Sequence, residues 1–272
     1  YASVTQEGQA LGPLIEQYAG RTGRRLILLF SWLFTLLVIA AFADIIAKTF
    51  NGFGANGTLN TPGAQAATIS MLYIVVAMGF GIFISKVKPS GVLKFIVAVV
   101  LVVAMFAVGM QFPLYFDVPT WRYIVFGYCF IAAVLPMWLL MEPRDYLSSF
   151  LLLGMVAGGV IGVLAANPSV NMPAFVGFEV NGKPLFPILF ITIACGAVSG
   201  FHSLVSSGTS SKAIANETDM LPVGYGAMLC ECMLGVVALA IACAAASNGV
   251  MAQGTPFQIF AAGISTFFTN IF

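Results

Sequence analysis

The sequence predicts an all-α, polytopic integral membrane protein: a helical bundle of about seven transmembrane helices and an eighth, partial one. Three observations carry this. First, 60% of the 272 residues are hydrophobic and only 8% are charged, where a soluble globular domain carries roughly 25% charged residues. So few charges cannot cover a water-facing surface, and mean hydropathy is +1.00. Second, apolar runs of about 20 residues, the length that spans a bilayer, recur along the chain. Third, the loops between runs alternate between many cations and few.

The runs lie at 26–49, 66–85, 92–112, 121–141, 146–166, 185–206 and 222–247, with a partial run at 256–272. They are continuous, whereas barrel strands alternate over about ten residues. Lipid also offers no water to unpaired backbone groups, which leaves helices. Residues 1–272 read as a single transmembrane domain. Arg21, Arg24 and Arg25 precede the first span. Lys86, Lys88 and Lys94 join the second to the third, Arg144 the fourth to the fifth, and Lys212 the sixth to the seventh. The alternate loops hold only Lys48, Arg122 and Lys183. The positive-inside rule then places residues 1–25 and the cation-rich loops in the cytoplasm. The loops near 50–65, 113–120 and 167–184, rich in turn-forming residues, face outward. The chain begins without Met in a polar stretch and stops inside an apolar run, as expected of an internal piece of a longer polypeptide.

Within the first span, Asp44 and Lys48 are four residues apart and can form a helical ion pair. Pro136 is expected to kink the fourth span. Glu142, Pro143, Arg144 and Asp145 read as a tight cytoplasmic turn, with Asp145 as N-cap of the next helix, or as a gate whose ion pairs break during transport. Cys129, Cys195, Cys230, Cys232 and Cys243 all lie in apolar runs without a Cys-x-x-Cys pair. They read as small buried apolar residues, not as disulfides or a metal site. The net charge of +1 argues against a nucleic-acid partner. There is no Walker loop and no dinucleotide fingerprint, so the sequence calls for no cofactor.

Chemistry concentrates in two places. Glu231 lies about nine residues into the seventh span, roughly 13 Å deep, where a carboxylate must be protonated, paired or water-lined. His202, the single histidine, lies near the inner end of the sixth span. Consecutive spans form hairpins, so the two can face one another as a proton-carrying pair. Around His202, Ser199, Ser203 and Ser206 sit at helical spacing, and Ser199, His202 and Ser206 share a face. One reading is a close helix interface built from small residues. The other is a broken span, loosened by Gly196, Gly200 and Gly208, whose freed backbone groups and hydroxyls line a site. An intramembrane hydrolase using Ser199 or Ser206 as nucleophile is the weakest reading, since no G-x-S-x-G elbow is present.

Three stretches, ITIACGAVSGFHSLVSSGTSSK (191–212), AAVLPMWLLMEPRDYLSSF (132–150) and NETDMLPVGYGAML (216–229), resemble the carbon starvation protein A family, as does the earlier GPLIEQYAGRTGR. The resemblance covers essentially the whole chain. It implies a multi-pass transporter of the bacterial or archaeal cytoplasmic membrane, with a fold of the inverted-repeat, broken-helix type found in amino acid–polyamine–organocation transporters. The implied activity is secondary active transport: proton-coupled uptake of small carboxylates such as pyruvate, or of short peptides, during carbon starvation. A membrane sensor or channel without coupled transport is the alternative. Family members are longer and begin with a Gly/Pro-rich AGAGP-type motif that is absent here. The matching SGFH and SSGT segments carry the site over to Ser199, Gly200, His202, Ser206, Ser207 and Thr209, and Ser203 lies between them. With Glu231, these are the candidate substrate- and ion-binding residues.

Overall fold

The computed structural model describes residues 2–54, 57–175, 177–180, 182–197, 200–246 and 254–271. The helices are α1 (Ala2–Thr5), α2 (Leu11–Thr49), α3 (Thr61–Val87), α4 (Gly91–Gln111), α5 (Val118–Val134), α6 (Met137–Ala166), α7 (Phe190–Ala197), α8 (Gly200–Val205), α9 (Ser211–Ala213), α10 (Ala227–Ala245) and α11 (Pro256–Ile271). Strands β1 (Glu179–Val180) and β2 (Lys183–Pro184) form a two-residue antiparallel hairpin between α6 and α7. Wide π-type turns occupy Ser206–Ser210 and Pro222–Gly226.

Among the described residues, five helices are long and apolar enough to cross a membrane: α2, α3, α4, α6 and the continuous Glu217–Ala245 segment that ends as α10. α5 and the Leu185–Ala194 segment are apolar but shorter. The chain is an all-α, multi-pass membrane protein. It divides into two compact units, Tyr1–Ile39 with Pro168–Ala252, and Ala40–Asn167 with Gln253–Phe272.

In the second unit, α3 packs on α4 and α6, and α11 packs on α6. Water cannot drive helices together inside lipid, so close backbone approach must. A Cβ added at Gly109 of α4 would stand 2.3 Å from Ile69 of α3. One added at Gly81 of α3 would stand 2.8 Å from the Leu139 carbonyl oxygen of α6. Around these contacts Phe80, Ala77, Ala98 and Leu147 are fully buried, with Phe80 stacked 6.0 Å from Tyr146. Buried Thr68 joins α3 to the chain after α4: its hydroxyl lies 2.8 Å from the Phe112 carbonyl and accepts the Leu114 amide at 2.9 Å. Asn60, Ser90 and Asp117 cap α3, α4 and α5, each accepting a backbone N–H three residues on, as helix starts require.

The turn expected at Glu142–Asp145 is not a turn. α6 runs through it, with Pro143 inside the helix. The chain breaks earlier, at Leu135–Pro136, where Leu135 is extended (ψ 142), because a proline forces its predecessor out of the helical region. Pro143 is tolerated where it stands. The Leu139 carbonyl it deprives of an N–H partner faces the bare backbone of Gly81, a site for a Cα–H···O contact. Asp145 therefore lies mid-helix and does not cap it. The Tyr73 hydroxyl donates to the Arg144 carbonyl, tying α3 to the same stretch.

The Asp44–Lys48 pair forms at 2.7 Å and gains a partner that the sequence reading did not assign. Arg122 of α5 donates from Nε to the same carboxylate at 2.9 Å.

The first unit is less regular. α2 bends at Gly20, whose φ of 69° suits glycine alone. The bend brings Gly12 against Leu28, and Glu16 reaches Arg24 at 2.6 Å. After α6, Asn171 caps α10 from outside. Its amide and side chain donate to the Cys243 and Ala244 carbonyls, both at 3.2 Å. The four cysteines described are unpaired; Cys230 and Cys232 are exposed on α10, against the expectation of burial.

Candidate functional site

His202 is the third residue of α8, and Glu231 the fifth of α10. The structure brings them together: His202 Nε2 stands 3.1 Å from Glu231 Oε2. Their side chains are 46% and 51% exposed. An ion pair this open to solvent contributes at most about 1 kcal/mol to stability.

α8 continues into the π-type turn at Ser206–Ser210. Such turns widen the helix and recur at functional sites. Here hydroxyls return to the backbone. Ser207 donates to the Ser203 carbonyl at 2.7 Å, Ser206 to the same carbonyl at 3.2 Å, and Ser211 to the Ser207 carbonyl at 3.2 Å. Side chains that bond their own helix in this way loosen and bend it.

The candidate residues thus separate. Gly200 opens α8. Ser199 lies outside the described residues. Ser203, Ser206 and Thr209 are exposed, on the same short stretch as His202. Ser207 is 7% exposed, and its hydroxyl is turned to the backbone, so in this chain it supports the turn and does not line an open surface.

One part of the site went unassigned in the sequence. α1 packs against α9 and the π-type turn. Ser3 is buried, with its hydroxyl 3.0 Å from that of Ser211 and 2.5 Å from the Gln9 carbonyl. No pattern in the sequence connects residues this far apart. Among the described residues, no three His, Cys, Asp or Glu side chains gather to hold a metal.

The profile of the family described as carbon starvation protein CstA matches residues 1–271. The pyruvate/proton symporter BtsT of Escherichia coli K12 is 34% identical, over 94% of this chain and 36% of its own length. The peptide transporter CstA of the same organism is 35% identical, over 96% of this chain and 38% of its own. The Bacillus subtilis peptide transporter CstA is 40% identical, over 69% of this chain and 33% of its own. The chain thus spans little more than a third of the length of these relatives. No solved structure matches it. With a profile match along essentially its whole length, the chain belongs to the carbon starvation protein CstA family.

Proposed function

We propose that this protein is part of a secondary active transporter of the cytoplasmic membrane that takes up small carboxylates such as pyruvate, or short peptides, together with protons. The observation that carries the proposal is the His202–Glu231 pair, 3.1 Å apart beside a π-type turn rich in hydroxyls, in a chain otherwise made of apolar helices. The names of the relatives, one a pyruvate/proton symporter and others peptide transporters, support it. In this reading the pair holds the coupling proton. The exposed hydroxyls of Ser203, Ser206 and Thr209, with the backbone of the widened turn, meet the substrate. Histidine is suited to the role because its charge changes within the physiological pH range. The long apolar helices span the membrane, with Arg21, Arg24 and Arg25 on the cytoplasmic side.

Uptake of labelled pyruvate and of a dipeptide by the full-length protein in proteoliposomes, with and without an imposed pH gradient, tests this. His202→Ala and Glu231→Gln are each expected to lower gradient-driven uptake by at least tenfold and to flatten its pH dependence. Unchanged uptake and pH dependence in both variants would remove the pair from the mechanism.

A further inference from the structure

Arg144 is the eighth residue of α6, between Pro143 and Asp145, with its side chain 36% exposed. Its own partners are weak. Nη1 donates to the Tyr128 hydroxyl at 3.4 Å, and Nε stands 3.5 Å from Asp145 Oδ1. Among the described residues no closer acceptor meets its five N–H groups. Arg144 borders a cavity of about 320 Å³ within the Ala40–Asn167 unit, at the lower end of the size range of small-molecule sites.

The chemistry of the cavity wall is one-sided. Tyr128 accepts from Arg144, so its O–H is left to donate. Trp121 also borders the cavity with its ring; its Nε1–H has no hydrogen-bond partner but is sealed from the cavity. Such an orphan is uncommon in a folded protein and costs on the order of 1–3 kcal/mol. Tyr73 has its hydroxyl proton committed to the Arg144 carbonyl and can only accept. Ser70 and Ser148, the other hydroxyls at the wall, donate to the Ala66 and Asp145 carbonyls of their own helices. No carboxylate lines the space. The rest of the wall is apolar, including Ile46, Met71, Ile124 and Val125. A guanidinium and a phenol O–H beside an apolar chamber suit one kind of guest. That guest carries an anion with two acceptor oxygens, attached to a body of several carbons.

We infer that the Arg144–Tyr128 cavity binds a monocarboxylate with an apolar body, held by its carboxylate on Arg144. This rests on the reading of the protein as a carboxylate or peptide transporter and adds a binding site apart from the hydroxyl segment. A branched 2-oxo acid and the carboxyl end of an apolar dipeptide share this chemistry. Arginine is suited to it because its planar fork meets both carboxylate oxygens, which a lysine ammonium cannot do.

The test is equilibrium binding of 4-methyl-2-oxopentanoate and of dileucine to the full-length protein in lipid nanodiscs, by calorimetry without any gradient. Binding of either ligand that weakens at least tenfold in Arg144→Gln, about as much in Arg144→Lys, and three- to tenfold in Tyr128→Phe supports the site. The ligand that binds identifies the source of the carboxylate. Tyr128→Phe, which removes only the hydroxyl, serves if the Arg144 variants do not fold. Unchanged affinity in folded Arg144→Gln and Tyr128→Phe, or no binding of either ligand to the wild type, overturns the inference. Equilibrium binding separates this site from the transport reading. If His202→Ala leaves gradient-driven uptake intact while Arg144→Gln loses binding, the cavity stands and the proposed coupling pair falls.

Discussion

The helix contacts of the Ala40–Asn167 unit and the stretch from Gly200 to Gly226 use glycine in different ways. In the helices, Gly81 and Gly109 are places where two backbones touch; a Cβ at either would collide with the facing helix. In the stretch, Gly208, Gly224 and Gly226 have nothing within 4 Å of where a Cβ would go, and all three lie in π-type turns. The ends differ as well. α3, α4 and α5 begin on side-chain caps, whereas the π-type turns and α10 have none. One region is closed by packing. The other keeps backbone irregular and side chains open, which is where exchangeable ligands and protons find partners.

Three measurements can break or sharpen this contrast. The largest effect is expected at Phe80, which is 2% exposed in the α3–α4–α6 core. Phe80→Ala should destabilise the protein by about 3 kcal/mol, measured by denaturant titration in mixed micelles. A cost near zero would mean that the core is not close-packed.

Next comes the pair Gly81→Val and Gly208→Ala. The first forces α3 and α6 apart and should cost about 1–3 kcal/mol. The second meets open space and should leave stability unchanged or raise it by up to about 1 kcal/mol. It favours a regular α-turn over the widened one, so uptake should fall while the fold is kept. Equal destabilisation by the two would end the contrast.

The smallest effect belongs to the Asp117 cap. The hydroxyl of Thr120, and then its amide, hold the Asp117 carboxyl below its ordinary value of 3.8. A depressed carboxyl contributes stability that is present above 3.8 and is lost as pH falls through the lowered value. Thermal unfolding followed between pH 5 and pH 2 should show a small acid-side loss, absent in Asp117→Asn. The same loss in that variant would place its origin elsewhere.

Much of the fold was legible because lipid permits few choices. A long apolar run must be a helix, and α2, α3, α4, α6 and the helix that ends in α10 follow from that. The Asp44–Lys48 pair was legible for a similar reason, since four residues make one helical turn. Arg122 was not, because it reaches Asp44 from 78 residues away. Of the two prolines of Leu135–Asp145, Pro136 disrupts the helix as expected, more sharply than a kink, and Pro143 was misread as part of a turn. Pro136 breaks the chain and Pro143 does not, because the facing Gly81 determines which deprived carbonyl is tolerated, and Gly81 lies on another helix. At the site, consecutive spans suggested that His202 could meet Glu231. The π-type turns and the burial of Ser207 were not legible, since glycine and serine side chains alone do not fix helical pitch.

The serines after His202 also bear on how a proton can travel. Ser206 and Ser207 donate to the Ser203 carbonyl, and Ser211 donates to the Ser207 carbonyl. A hopping chain needs each member to accept a proton on one side as it releases one on the other. A peptide carbonyl has no proton to release, so this row of hydroxyls ends the chain at every step. It is insulation, not a wire. Under the proposed coupling role, a proton reaches His202 by a route other than these hydroxyls.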